Sequence, residues 1–197
     1  MKRREAFKKT ALALGVTASG STLTSLLTAC QEQDRNTWKP KFFNEEDVKI
    51  ISAICDTILP KTDTPGALEL NVDVFVDLMI NDTLPDREKE HIKTTFDKFK
   101  SDCQSRFSKS FEKLDNGQKE ELLTEMEKES NNFLPSVWGM TIGKQPPIDF
   151  YRRIKQFTLV GYYTSEYIGK NVLVYDPIPG EQKGCIPLSG VGNSWSL

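Results

Sequence analysis

The 197-residue chain holds a single histidine, His91, and that scarcity removes much of the chemistry a domain of this size would use. A Ser-His-Asp or Cys-His arrangement would have to run through that one residue, and metal sites built on two histidines are excluded. In EKEHIKTTF the apolar positions are Ile92 and Phe96, which places His91 on or beside the solvated face of a helix. No CxxC or CxxCH occurs among the four cysteines, so the usual zinc, redox-dithiol and c-type haem signatures are missing. Neither GxGxxG nor GxxxxGK with a following Ser or Thr is present, so nothing signals a nucleotide or flavin held by the usual folds. Period-two alternation of useful length is lacking before residue 170, which leaves helices to build the core.

What is present begins at the N-terminus. Arg3 and Arg4 precede an apolar and small-residue run that Gly15, Gly20 and several Ser and Thr interrupt, the pattern of a secretory signal over residues 1–29. The run is too polar to hold a bilayer as a strong permanent span. Adjacent arginines in that place mark an export route that carries folded proteins, often with a cofactor already inserted. An ordinary basic leader is the alternative, and Phe7 falls one place late for the usual twin-arginine pattern.

Leu27-Thr28-Ala29-Cys30 fits the lipobox of bacterial lipoproteins, so Cys30 is expected to become a lipidated N-terminus on the periplasmic side of the envelope. The signal takes five basic residues and one acidic residue with it, moving the net charge from −2 to −6 over the remaining 168 residues. Such a charge argues against nucleic acid as a partner and leaves membrane attachment to the acyl chains. Outside the cytoplasm a disulfide is open to Cys55, Cys103 and Cys185; buried thiols on helices are the other reading for Cys55 and Cys103.

The pattern predicts an all-α protein: a single irregular helical domain of about five helices with a long Pro/Gly-rich C-terminal tail. Residues 30–43 read as a lipidated polar tether, 44–169 as the helical domain and 170–197 as an extended tail. Asn44 with Asp47 suits a helix start, and Val48, Ile51, Ile54, Cys55 and Ile58 recur at helical spacing until Pro60. A second helix follows Asn71, with Val72, Phe75, Val76, Met79 and Ile80 in one stripe. Pro85 opens a third, in which Ile92, Phe96, Phe99, Cys103 and Phe107 form the clearest amphipathic pattern in the chain. Asp115 with Gln118 caps a fourth, and a last helix spans roughly residues 148–167 with Phe150, Ile154, Phe157 and Val160 inward. From Gly169 onward the chain holds three of its ten prolines and five of its twelve glycines, a density that forbids helix.

Asp56, Asp63, Asp73 and Asp77 cluster along the first two helices and their loop. Paired carboxylates serve glycosidic chemistry, but such residues more often cap helices and face water, and that is the expectation here. GYYTSEYIGKNVLVYDPIPG carries Tyr162, Tyr163, Tyr167 and Tyr175, four of the five tyrosines. Tyrosine combines a large apolar face, a polar tip and two torsions, which favours it at interfaces. The rings either pin the tail to the domain's own core or meet a partner, and both uses are compatible. Tyr162, Tyr163, Glu166, Tyr167, Tyr175, Pro177 and Pro179 are the candidate partner interface.

TILPKTDTPGA at 57–67, Val-x-x-Phe-Val-Asp at 72–77, FSKSFEKLDNGQKEELL at 107–123 and FTLVGYYTSEYIG with YDPIPGEQKGC resemble the small (gamma) subunit of membrane-bound gluconate 2-dehydrogenase and related sugar dehydrogenases. The similarity runs from about residue 44 to 186. It implies a non-catalytic partner of a large flavoprotein of the glucose-methanol-choline type, often accompanied by a cytochrome c subunit. The large subunit of such complexes binds FAD and oxidises a sugar, polyol or sugar acid. The small subunit commonly bears the export signal for both, and no cofactor or catalytic residue is implied for this chain. Cys30 departs from the soluble members. Two readings from other classes stand beside this one: a free-standing envelope lipoprotein that binds a carbohydrate on Tyr163 or Trp138, and a small hydrolase using carboxylates near Asp63.

Overall fold

The computed structural model describes residues 38–137, 140–141, 143–175, 180, 185–190 and 192–196. The chain divides into two units, Met1–Trp38 and Lys39–Leu197, and the described helices belong to the second. Among the described residues six α-helices carry the fold: α1 (Glu45–Ile58), α2 (Val72–Thr83), α3 (Asp86–Phe107), α4 (Asn116–Glu129), α5 (Phe150–Tyr163) and α6 (Glu166–Asn171). Single 3-10 turns lie at Phe111–Lys113 and Leu188–Gly190. Two minimal strand pairs complete the inventory. β1 (Ser136–Val137) runs antiparallel to β2 (Met140–Thr141), and β3 (Val174–Tyr175) runs parallel to β4 (Trp195–Ser196).

The helix starts follow from side-chain chemistry. Asn44 accepts from the backbone amides of Glu46 at 3.0 Å and Asp47 at 2.8 Å, satisfying donors that the first turn of α1 leaves open. Asp115 and Gln118 form a reciprocal capping box at α4. Pro85 lies just before α3 with extended backbone, where its missing N–H costs nothing. Asn71 precedes α2 in the left-handed region at φ 53°, a conformation asparagine tolerates better than most residues.

The core is the predicted one in most of its members. Ile51, Ile54 and Cys55 of α1, Val72, Val76 and Ile80 of α2, and Ile92, Phe96, Phe99 and Cys103 of α3 are buried. Their centre is aromatic: Phe150 lies 5.2 Å from Phe96 and 4.9 Å from Phe99, ring centroid to centroid, and Phe111 lies 5.4 Å from Phe99. Helix α5 packs against α1, α2, α3 and α4. The cysteines on helices behave as small apolar residues. Cys55 Sγ is buried 3.4 Å from Thr158 Oγ1, and burial pushes the Cys103 thiol up to about 11. Cys185 is exposed.

Four expectations need correction. Val160 is not inward but 41% exposed, because the buried stripe of α5 steps from Phe157 to Gly161 and leaves position 160 outside it. The single last helix is two, since α5 ends at Tyr163 and α6 begins at Glu166. Thr164 Oγ1 and Ser165 Oγ donate to the carbonyls of Val160 and Tyr162, and this local competition for helix carbonyls accompanies the break. His91 is half-buried rather than solvated, with its Nε2 2.8 Å from Asp149 Oδ1. Of the four aspartates, Asp56 and Asp63 face water, but Asp73 and Asp77 are each only 1% exposed.

The two buried aspartates have different partners. Ser52 Oγ donates to Asp73 at 2.6 Å and ties α1 to α2. Asp77 accepts from three consecutive amides, Lys41 at 2.7 Å, Phe42 at 3.0 Å and Phe43 at 2.9 Å. A carboxylate so satisfied is tolerated inside, and here it docks the segment entering α1 onto α2, with Phe43 buried beside Phe96. Asp77→Ala leaves those amides without their acceptor, and we expect a loss of about 3 kcal/mol in the free energy of unfolding. Urea titration of the two proteins followed by circular dichroism measures it; Asp77→Asn, which keeps one acceptor oxygen, should lose less.

Candidate functional site

The candidate interface is built on the C-terminal end of α5 and the loop that joins α1 to α2. That loop closes on itself through Ala67 N to Leu59 O at 2.9 Å and Thr62 N to Thr64 O at 3.1 Å. Gly66 allows the closure, because a Cβ there would lie 2.8 Å from the backbone nitrogen of Lys61. Glu69 accepts from Gly66 N at 3.1 Å and from Lys61 Nζ, and the Lys61 ammonium together with the Gly66 amide holds its carboxyl below the usual range.

Tyr162 links this loop to α5. Its hydroxyl donates to the carbonyl of Pro65 at 3.0 Å and lies 3.0 Å from Thr64 Oγ1. Because the phenol has one hydrogen and gives it to the carbonyl, the threonine is the donor in the second bond. One residue earlier, Gly161 lets α5 approach α2 closely: a Cβ at this position would meet Phe75 Cδ1 at 2.6 Å. Leu59–Ala67, Phe75 and Gly161–Tyr162 therefore form one packed unit, and they come from three of the segments that carry the family resemblance.

The outward side of this unit is aromatic. Tyr163 packs edge-on against Tyr162 with centroids 5.5 Å apart and planes at 90°, yet it is 52% exposed. Tyr167, in the next helix α6, is 48% exposed, and Val160 adds exposed apolar surface near them in sequence. Glu166 is exposed and pairs with Lys170 at 2.6 Å. Ile168, fully buried, plugs α6 into the core, so the rings stand on a fixed base. After α6 the amides of Val172 and Leu173 both donate to Ile168 O, Asn193 Nδ2 donates to Val172 O at 2.7 Å, and Val174 N donates to Ser194 O at 2.9 Å.

The sequence-predicted interface thus divides. Tyr162 is internal and holds the loop, while Tyr163, Glu166 and Tyr167 are outward. The backbone of Tyr175 pairs with Ser196, and its side chain lies outside the described residues. Pro177, Pro179, Cys30, Arg3, Arg4 and Trp138 also lie outside them. Sequence reasoning missed Val160, and it missed the bond of Tyr162 to a loop 98 residues away. The step from Phe157 to Gly161 was the available sign for Val160; no short-range signal announces the Tyr162 contact. Among the described residues, no group of three or more His, Cys, Asp or Glu is placed to hold a metal, and no helix is long and apolar enough to cross a membrane.

Removing the Tyr162 hydroxyl separates pinning from burial. Tyr162→Phe should cost about 1 kcal/mol in stability and loosen the 60–66 loop, with faster amide hydrogen exchange at Gly66 and Ala67 and no change in the core helices.

No match was found among curated proteins or among solved structures. The profile of gluconate 2-dehydrogenase subunit 3 matches residues 45–180, which takes in all six helices, the 60–66 loop, and Tyr162, Tyr163 and Tyr167. The chain belongs to the gluconate 2-dehydrogenase subunit 3 family, the family of a subunit of a dehydrogenase complex.

Proposed function

We propose that this chain is the non-catalytic small subunit of a membrane-associated flavoprotein dehydrogenase acting on a sugar or sugar acid. It docks onto a large FAD-containing subunit of the glucose-methanol-choline type, which a cytochrome c subunit often accompanies. FAD belongs to the large subunit. The small subunit serves export, maturation and stability of that partner, through Arg3 and Arg4 in the signal and lipid at Cys30, and works on the periplasmic side of the envelope.

The family match over residues 45–180 carries the subunit reading, and what supports the docking site is the pair of exposed rings, Tyr163 and Tyr167, standing on a base that Tyr162, Gly161 and Ile168 make rigid. Exposed tyrosines on a preorganised base meet a partner with little loss of ordering entropy. An obligate pair of subunits buries roughly 2,000 Å² or more in total, so the face must extend beyond two rings. Val160 and the loop rim at Lys61–Asp63 are exposed too, and the loop is bonded to α5 through Tyr162, which makes them the candidates for the rest of that face.

Two measurements test the proposal. Tyr163→Ala with Tyr167→Ala should lower the affinity for the purified large subunit at least tenfold in surface plasmon resonance while leaving the helical circular dichroism unchanged; undiminished binding moves the interface elsewhere. Arg3→Lys with Arg4→Lys should strand both subunits in the cytoplasm, whereas Cys30→Ser should let both be exported and release them into the soluble periplasmic fraction. Export of the flavoprotein at its normal level in the lysine variant would defeat the escort role.

A further inference from the structure

A cavity of about 180 Å³ opens between α3, α4 and the start of α5, away from the tyrosine face. Its deep side is apolar: Phe99, Leu122 and Phe150 are each buried, and Met126 lines it beside them. Its edge is acidic. Asp102, Glu129 and Asp149 line it together with Lys98 and the bonded pair Arg106–Glu125; His91 Nε2 lies 2.8 Å from Asp149, so Asp102 and Glu129 are the carboxylates left for a guest. Arg106 is committed to Glu125, which leaves Lys98 as the other cation facing Asp102 and Glu129.

Size and charge together narrow the guest. Pockets for whole small-molecule ligands run to about 300 Å³ and above, whereas a space near 150 Å³ takes one ring-sized group. An apolar base with acidic edges fits a short hydrocarbon stem that ends in a positive charge. Arginine meets both needs, since its guanidinium bonds carboxylates in a fixed fork and its three-carbon stem can lie along the apolar side chain of Met126. We propose that this cavity receives one arginine side chain of a docking protein, as a second anchor point distinct from the Tyr163 and Tyr167 face. The inference rests on the docking role proposed above, and it is tested separately from it.

The chemistry is read first with n-propylguanidinium, the arginine side chain without its backbone, titrated into the mature protein and followed by amide chemical shifts. Saturable shifts at Phe99, Asp102, Met126 and Phe150, with a dissociation constant on the order of 10 mM and weakening as salt rises, are expected. Butyrate or n-propanol producing the same shifts, or no saturation at these amides, overturns the proposal.

The source is then read with Met126→Trp, which fills the space. It should erase the guanidinium shifts and lower affinity for the large subunit about tenfold. Asp102→Asn with Glu129→Gln, which keeps volume and removes charge, should lower both by at least threefold and serves if the tryptophan variant loses helix. If the Tyr163 and Tyr167 substitutions weaken capture and the cavity variants do not, the arginine anchor is wrong and the docking reading stands. If the cavity variants alone weaken capture, the anchor stands and the tyrosine face is displaced from its role.

Discussion

The fold depends on burying one helix. Four others pack around α5, and its Phe150, Ile154 and Thr158 have no measurable exposure. A helix in that position cannot shift without opening contacts on several sides, because interiors are close-packed. Its N-terminal end sits in the phenylalanine cluster with Phe96 and Phe99, and its C-terminal end is pressed onto Phe75 through Gly161. The backbone beyond Gly161 therefore inherits a fixed position. Tyr163 and Tyr167 are outward because the stripe beneath them is already taken.

Charged groups tie the same helix to its neighbours. Arg153 reaches Glu88 of α3 at 2.5 Å, with its guanidinium over the rings of Phe133 and Phe157. Burial holds its pKa below the usual arginine value despite the attraction of Glu88. Arg152 and Lys155 both meet Glu127 of α4, and although burial raises that carboxyl the two cations outweigh it and leave it lowered. Such pairs add less free energy than apolar burial does, and they join α5 to α3 and α4 beside the buried stripe that orients it.

Local signals are readable wherever the physics is local. Asn44 and the Asp115–Gln118 pair announce helix starts, and the spacing of Ile92, Phe96, Phe99 and Cys103 announces a buried face, because each needs only neighbours within a turn. Asp73 and Asp77 read as solvated in sequence for the opposite reason. The amides that make Asp77 tolerable inside belong to residues 34 to 36 positions earlier, and nothing around Asp77 in sequence reveals them. The candidate site shows the same division. Its tyrosines stand out by composition, but the separation of Tyr162 from Tyr163, one bonded to Pro65 and the other left exposed, requires knowing where the α1–α2 loop lies.

The grip of Asp77 on Lys41, Phe42 and Phe43 has a mechanical meaning. Any tug transmitted along the backbone from upstream reaches this clamp before it reaches the first turn of α1, so the load passes into α2 and the cap at Asn44 is shielded. Fraying that starts upstream must therefore break three hydrogen bonds to a buried carboxylate before it can reach α1.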